Sequence, residues 1–154
     1  MRNNNMKISF DLDDLLIAGI KQFEHEPKSV LQKIFKTELL RLGTIELFER
    51  LKAKGHKTCI YTTSLRSPFK IWLTFKIYGI VLDGIYNKNS HDKRIKEFGK
   101  TCSKYPPMFG IDIHVDDSEG VKMEAERNDF KVIIINENDT NWCDRVLAEI
   151  NNYH

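Results

Sequence analysis

Ile8-Ser9-Phe10-Asp11-Leu12-Asp13-Asp14 decides how the rest of the chain is read. An apolar run enters a knot of three carboxylates close to the start of the sequence. That pattern predicts a buried strand delivering charge to the mouth of a sheet. Side chains alternate along an extended chain, so Asp11 and Asp13 fall on one face. Neighbouring carboxylates repel, and each raises the other's proton affinity unless a cation lies between them. Such a pair suits holding a metal, moving a proton, or both. A plainer reading also fits: a strand, an acidic turn and an aspartate capping a helix. The remainder of the chain has to choose between them.

Outward from this stretch, strands and helices alternate. Lys7 to Phe10 is the first expected strand. Beyond Pro27, the residues Val30, Leu31, Ile34, Phe35 and Leu39 recur at helical spacing. Gly43 reads as a stop and Thr44 as a cap, with Ile45, Leu47, Phe48 and Leu51 in the next helix. Lys57 to Tyr61 is a second strand, ending in Thr62-Thr63-Ser64. Ser67-Pro68 opens a helix whose buried stripe is expected to be Ile71, Trp72, Phe75 and Tyr78. Ile80 to Leu82, extended toward Ile85-Tyr86, reads as a short third strand. Asn87 to Pro107 is polar and lysine-rich, with a short helix expected around Asp92 to Gly99. Ile111, Ile113 and Val115 form a fourth strand ending in Asp116-Asp117-Ser118. Val121 to Arg127 reads as a helix, Val132 to Ile135 as a fifth strand, and Thr140 begins a last helix. The order implies an α/β fold: a doubly wound, mainly parallel five-stranded sheet with helices on both faces and no large cap domain. Residues 1–154 read as one domain, with 1–6 a frayed terminus.

Composition sets limits on function. The chain has 154 residues, 41% hydrophobic and 30% charged, the balance of an ordinary water-soluble domain. Its 24 basic and 22 acidic residues leave a formal charge of +2, too mild to announce a nucleic-acid binder. No apolar run approaches the length of a membrane span. The polar start lacks the apolar core of a signal peptide, so a cytoplasmic location is expected. Cys59, Cys102 and Cys143 are odd in number and far apart, which suits reduced thiols better than disulfides or a zinc site.

The chemistry gathers at strand ends. Strand one ends in Asp11 and Asp13, strand two in Thr62, Thr63 and Ser64, and strand four in Asp116 and Asp117. In an open parallel sheet these ends meet at one crevice. Clustered carboxylates suit a hard divalent cation, with Mg²⁺ the usual choice. Hydroxyls beside a metal can donate to phosphoryl oxygens, and a lysine is needed to offset charge as the phosphoryl group moves. One carboxylate can attack phosphorus, and a second can protonate the leaving group and later take a proton from water.

In these motifs the chain resembles the haloacid dehalogenase superfamily, in its aspartate-nucleophile phosphatase branch, and is most similar to the compact, capless magnesium-dependent phosphatases. Phe10-Asp11-Leu12-Asp13-Asp14 resembles that family's first motif, Ile60-Tyr61-Thr62-Thr63-Ser64 its second, and Val115-Asp116-Asp117-Ser118 its fourth. The resemblance implies Asp11 as nucleophile and metal ligand. It implies Asp13 as general acid/base with its main-chain carbonyl on the metal. Thr62 would bind the phosphoryl group, with Thr63 and Ser64 beside it. Asp117 would be a direct ligand, and Asp116 stands where the family often has glycine. Leu15 replaces a frequent threonine. The lysine has no fixed motif: Lys104 is the first choice and Lys100 and Lys93 are rivals. Arg66 follows the second strand and either lines the crevice or faces solvent.

The expected activity is hydrolysis of a phosphomonoester, of a small molecule or a macromolecule, through an aspartyl-phosphate. One alternative is a non-catalytic metal-binding regulatory module of the same fold. Another is a phosphatase acting on a protein or on nucleic-acid ends, because Lys88, Lys93, Arg94, Lys96, Lys100 and Lys104 concentrate positive charge. More often such a run is a solvated face. A receiver domain fits less well, since its acceptor aspartate would lie on a middle strand. No membrane partner is expected, and nothing in the sequence points to an oligomeric state.

Overall fold

A computed structural model describes residues 5–153. Its five strands are β1 (Lys7–Phe10), β2 (Lys57–Tyr61), β3 (Gly84–Tyr86), β4 (Ile113–Asp116) and β5 (Lys131–Ile134). They form one sheet in the order β3-β2-β1-β4-β5, with every pairing parallel. The helices are α1 (Val30–Phe35), α2 (Thr44–Ala53), α3 (Pro68–Ile77), α4 (Lys88–Ile95), α5 (Glu119–Asn128) and α6 (Trp142–Asn152).

The sheet is buried on both faces, which is why its strands lack a clean apolar–polar alternation. On one face Ile8, Phe10, Ile60, Val115 and Ile133 pack with Leu47, Phe48 and Leu51 of α2, Ile71 and Phe75 of α3, and Val146 and Leu147 of α6. Phe48 joins that core, its ring centroid 4.7 Å from Phe10 and 5.8 Å from Phe75. On the other face Cys59 and Tyr61 pack with Ile95 of α4, Met108 and Ile111. The chain winds outward from β1 through β2 to β3, then returns to the far side of β1 for β4 and β5. β1 is therefore central, and the order reverses between β1 and β4. That switch point is where open α/β sheets form their crevice.

No large cap interrupts the fold. Between β1 and α2 the chain doubles back on itself through bridges Asp13–Ile17, Ile17–Leu40 and His25–Arg41. Asp14 starts the reversal with a left-handed φ of 62°. Its Oδ1 accepts the N–H groups of Gly19 (3.0 Å) and Lys21 (2.8 Å), the local hydrogen bonding that lets aspartate tolerate this conformation.

Several expectations are corrected. The helix after Pro27 ends at Phe35, because Lys36 turns left-handed at φ 50° and Leu39 lies beyond it. Its buried residue is Gln32, while Val30 and Ile34 are 72% and 64% exposed. On α3 Ile71 and Phe75 are buried, but Trp72 is 43% exposed and stacks on Phe69. The third strand is Gly84–Tyr86; Ile80 enters the core from the turn after Gly79. The helix expected around Asp92–Gly99 begins earlier, at Lys88, and ends in a single 3-10 turn. Met1–Asn4, in the stretch read as frayed, lie outside the described residues, whereas the Met6 N–H donates to His56 Nδ1 (3.2 Å). Among the described residues no helix is long and apolar enough to cross a membrane.

Candidate functional site

β1 ends with its last backbone partner still in register: the Asp11 N–H donates to the Val115 carbonyl at 2.9 Å. That bond sets the Asp11 side chain beside the end of β4. Asp11, Asp116 and Asp117 each offer a carboxylate oxygen within 4.8 Å of the others. Two of the three are thus supplied from the far side of the sequence, by the strand that flanks β1. Three oxygens this close fit a hard cation.

Lys104 reaches the same point from the loop that precedes β4. Its ammonium lies 2.8 Å from Asp11 Oδ1, 2.6 Å from the Tyr61 carbonyl and 3.8 Å from Asp116 Oδ2. The side chain is 3% exposed. Its loop is fixed by α5, where Glu124 accepts the N–H groups of Ser103 (2.8 Å) and Lys104 (3.1 Å). Pro106 then opens a 3-10 turn, so Lys104 sits on a loop, as proline chemistry requires. The rivals lie elsewhere: Lys100 covers the Tyr105 ring, and Lys93 is exposed.

Asp116 is the most heavily bonded of the acids. Its Oδ1 accepts the N–H groups of Asp117 (2.8 Å) and Ser118 (3.0 Å), which fills both lone pairs of that oxygen. Its Oδ2 meets His114 Nε2 at 2.9 Å. Burial works upward on the Asp116 carboxyl, yet the hydrogen bond from His114 and the charge of Lys104 hold it below the ordinary carboxylate range. Burial, reinforced by Lys104, lowers the pKa of His114. The neutral ring then donates from Nε2 to Asp116 and accepts the Ser9 hydroxyl at Nδ1 (2.7 Å). Asp11 behaves differently: burial pushes its carboxyl up to about 7 against the pull of Lys104. Two acids side by side are thereby driven apart in proton affinity.

Asp117 carries a second ammonium. Lys21, at the end of the reversal begun by Asp14, lies 2.8 Å from Asp117 Oδ2 and 3.5 Å from Glu137 Oε2. Sequence reasoning missed Lys21, His114 and Ser9. Lys21 falls in an irregular segment with no motif, and the other two are brought in by strand pairing.

The hydroxyl motif divides into three environments. Thr62 is buried, and its Oγ1 accepts the Ser64 N–H at 3.1 Å, leaving its own proton free to donate. Thr63 is exposed and lines a groove of about 430 Å³ with Lys88, Lys100 and Ser103. Ser64 Oγ is occupied by Arg66, accepting from its N–H (3.1 Å) and Nη1 (3.0 Å). Asp13 stands apart from the carboxylate cluster, with both oxygens on Arg66 Nη1 at 2.7 and 2.9 Å.

No protein-family model matches the chain, and no curated protein matches it. Among solved structures it is similar to a chain in the structure of the Pnkp1/Rnl/Hen1 RNA repair complex, with a TM-score of 0.53 and 18% identity. The match covers 88% of this chain and 44% of that one, so this chain spans less than half of its neighbour's length. At such identity the likeness is one of fold, and the chain shares its α/β architecture with a component of that complex.

Proposed function

We propose that the chain is a single-domain, magnesium-dependent phosphomonoester hydrolase of the haloacid dehalogenase type. The observation that carries this reading is the convergence of Lys104, Asp11, Asp116 and Asp117 at the ends of β1 and β4, with Thr62, just past β2, keeping a hydroxyl proton to donate.

The donor set fits a magnesium ion: carboxylate oxygens of Asp11, Asp116 and Asp117, with the Asp13 carbonyl as a main-chain candidate. When bound, the ion supplies Lewis-acid polarisation of the phosphoryl group and draws Asp11 to its carboxylate form. The protein's own groups do the rest. An Asp11 oxygen forms a bond to phosphorus as the ester P–O bond breaks, and Asp13 gives its proton to the departing oxygen. Water then attacks the aspartyl-phosphate, Asp13 takes its proton, and the Asp11–phosphorus bond breaks to free inorganic phosphate. Thr62 donates to a phosphoryl oxygen, and Lys104 offsets the charge that builds on the group in flight.

The test is turnover of p-nitrophenyl phosphate with Mg²⁺. Asp11→Asn is expected to lower kcat at least about 10³-fold, the loss typical of a missing nucleophile. Activity that survives this substitution removes the assignment. Calorimetric Mg²⁺ binding without turnover on a broad phosphoester panel would instead favour a non-catalytic module.

A polynucleotide end is a second substrate reading. It is favoured by Lys88 and Lys100 in the groove beside Thr63, and by a structural neighbour that belongs to an RNA repair complex. Salt decides it. Cleavage of a terminal phosphate from an oligonucleotide should weaken steeply between low and moderate salt if the groove tracks a backbone, and p-nitrophenyl phosphate turnover should not.

A further inference from the structure

Arg66 has no part in the chemistry above, yet it is the only hydrogen-bond partner of the Asp13 carboxylate among the described residues. Its guanidinium is gripped along a second edge. Nη2 and Nε donate to Glu38 Oε1 (2.7 Å) and Oε2 (2.9 Å), a two-point fork that fixes the plane of the group. The main chain is held as well: the Arg66 N–H donates to Ser64 Oγ, and its carbonyl accepts from Asn87 Nδ2 at 3.0 Å. With the plane and the backbone both set, Nη1 is held by Ser64 Oγ on one side and directed at the Asp13 carboxylate on the other.

Asp13 is 43% exposed on its side chain, and Glu38 and Arg66 are partly exposed too. Ion pairs this wet add little to stability. What the three residues supply is direction. A half-exposed aspartate otherwise samples several rotamers, and a proton donor must stay within hydrogen-bond reach of its target. Nη1 contacts both Asp13 oxygens from one side, which leaves lone pairs on the other side free for the proton.

Resting on the hydrolase reading, we propose that Arg66, braced by Glu38, is a positioning residue that orients Asp13 for proton transfer to the leaving oxygen. Asp13 enters the step with a proton taken from solvent on the edge turned away from Arg66; Asp11 makes the bond to phosphorus, the ester P–O bond breaks, and that proton passes from Asp13 to the departing oxygen. In the second half Asp13 recovers a proton from the attacking water. Arg66 touches neither reacting atom.

Leaving-group dependence separates this role from a structural one. p-Nitrophenolate departs with little help from an acid, whereas phenolate needs it. With phenyl phosphate, Arg66→Gln is expected to lower kcat/KM, which reads only the formation of the aspartyl-phosphate, roughly 10–100-fold, a share of what a general acid contributes. With p-nitrophenyl phosphate the loss of kcat/KM should stay within about threefold. Glu38→Gln should show the same split more weakly, and it decides the matter if Arg66→Gln does not fold. Arg66→Lys should not restore phenyl phosphate turnover, because an ammonium cannot span Asp13 and the Glu38 fork together. Equal losses on both esters, or none, overturn the proposal while the hydrolase reading stands, provided Asp11→Asn is inactive. An active Asp11→Asn enzyme removes both.

Discussion

Tyr61 meets Lys104 and its loop in three ways. Its carbonyl accepts the ammonium, its ring lies 4.9 Å beneath it, and its hydroxyl accepts the Tyr105 N–H at 2.9 Å. The same hydroxyl donates to His91 Nδ1 at 2.5 Å. Tyr61→Phe keeps the ring and carbonyl but leaves the Tyr105 N–H without its acceptor. It is expected to cost about 1–3 kcal/mol in urea unfolding and to lower kcat more than it raises KM. Retained stability and rate would show that the loop is held by Glu124 alone. His91 makes a further prediction. Burial lowers its pKa below 6.5, so between that folded value and 6.5 the unfolded chain binds more protons. Stability therefore rises with pH across this window and is lost as pH falls below 6.5. His91→Gln should flatten that part of a stability–pH curve; an unchanged slope would assign it to other groups. At this scale the sequence identified the acids and offered Lys104, because carboxylates at strand ends and a lysine ahead of two prolines leave local marks. Tyr61, His114 and Lys21 leave none, and Arg66 is marked only by its place after the second strand, since its pairing with Asp13 and Glu38 joins segments far apart in the chain.

α1 is the element least like its sequence. Val30, Leu31, Ile34 and Phe35 have helical spacing, which ordinarily marks a core-facing stripe. Here the inward position is taken by Gln32, whose amide bonds the Tyr78 hydroxyl and completes a capping box with Ser29. Polar anchoring fixes the helix's rotation, and the apolar residues turn outward. Periodicity reports that a stripe exists, not which way it points. Ile34→Glu is accordingly expected to change unfolding free energy by no more than about 0.5 kcal/mol, the ordinary range for an exposed site. A loss of 2–5 kcal/mol would mean that the residue is in fact covered. By contrast β1, β2 and β4 were legible because buried parallel strands are short apolar runs with marked ends. β3 was displaced because Ile80, Val81 and Leu82 outrank Gly84-Ile85-Tyr86 in apolar character. Yet the Asp83 carboxylate takes the Thr58 N–H at 2.8 Å and starts the pairing only beyond it.

At the scale of the molecule, the three clustered carboxylates come from two parts of the chain, brought together by the pairing of β1 with β4. The topology could be inferred from alternating strands and helices, because right-handed crossovers restrict how such a chain winds. The second cation, Lys21, could not. Two of the three carboxylates face an ammonium, Asp11 that of Lys104 and Asp117 that of Lys21. An ion must therefore compete with Lys21 for Asp117, and once bound it ties β1 to β4 in the folded state alone. Ligand that binds only the native chain stabilises it by about 2.7 kcal/mol at a hundred times Kd. Saturating Mg²⁺ should thus raise the melting temperature of the wild type, and EDTA should reverse the rise. Asp117→Asn should abolish the shift. Lys21→Met should lower the Mg²⁺ concentration at its midpoint, since the competing ammonium is gone while Asp117 remains. A wild-type melt indifferent to Mg²⁺ and Mn²⁺ would mean that the two lysines already satisfy the cluster, and that Asp11, Asp116 and Asp117 hold no metal.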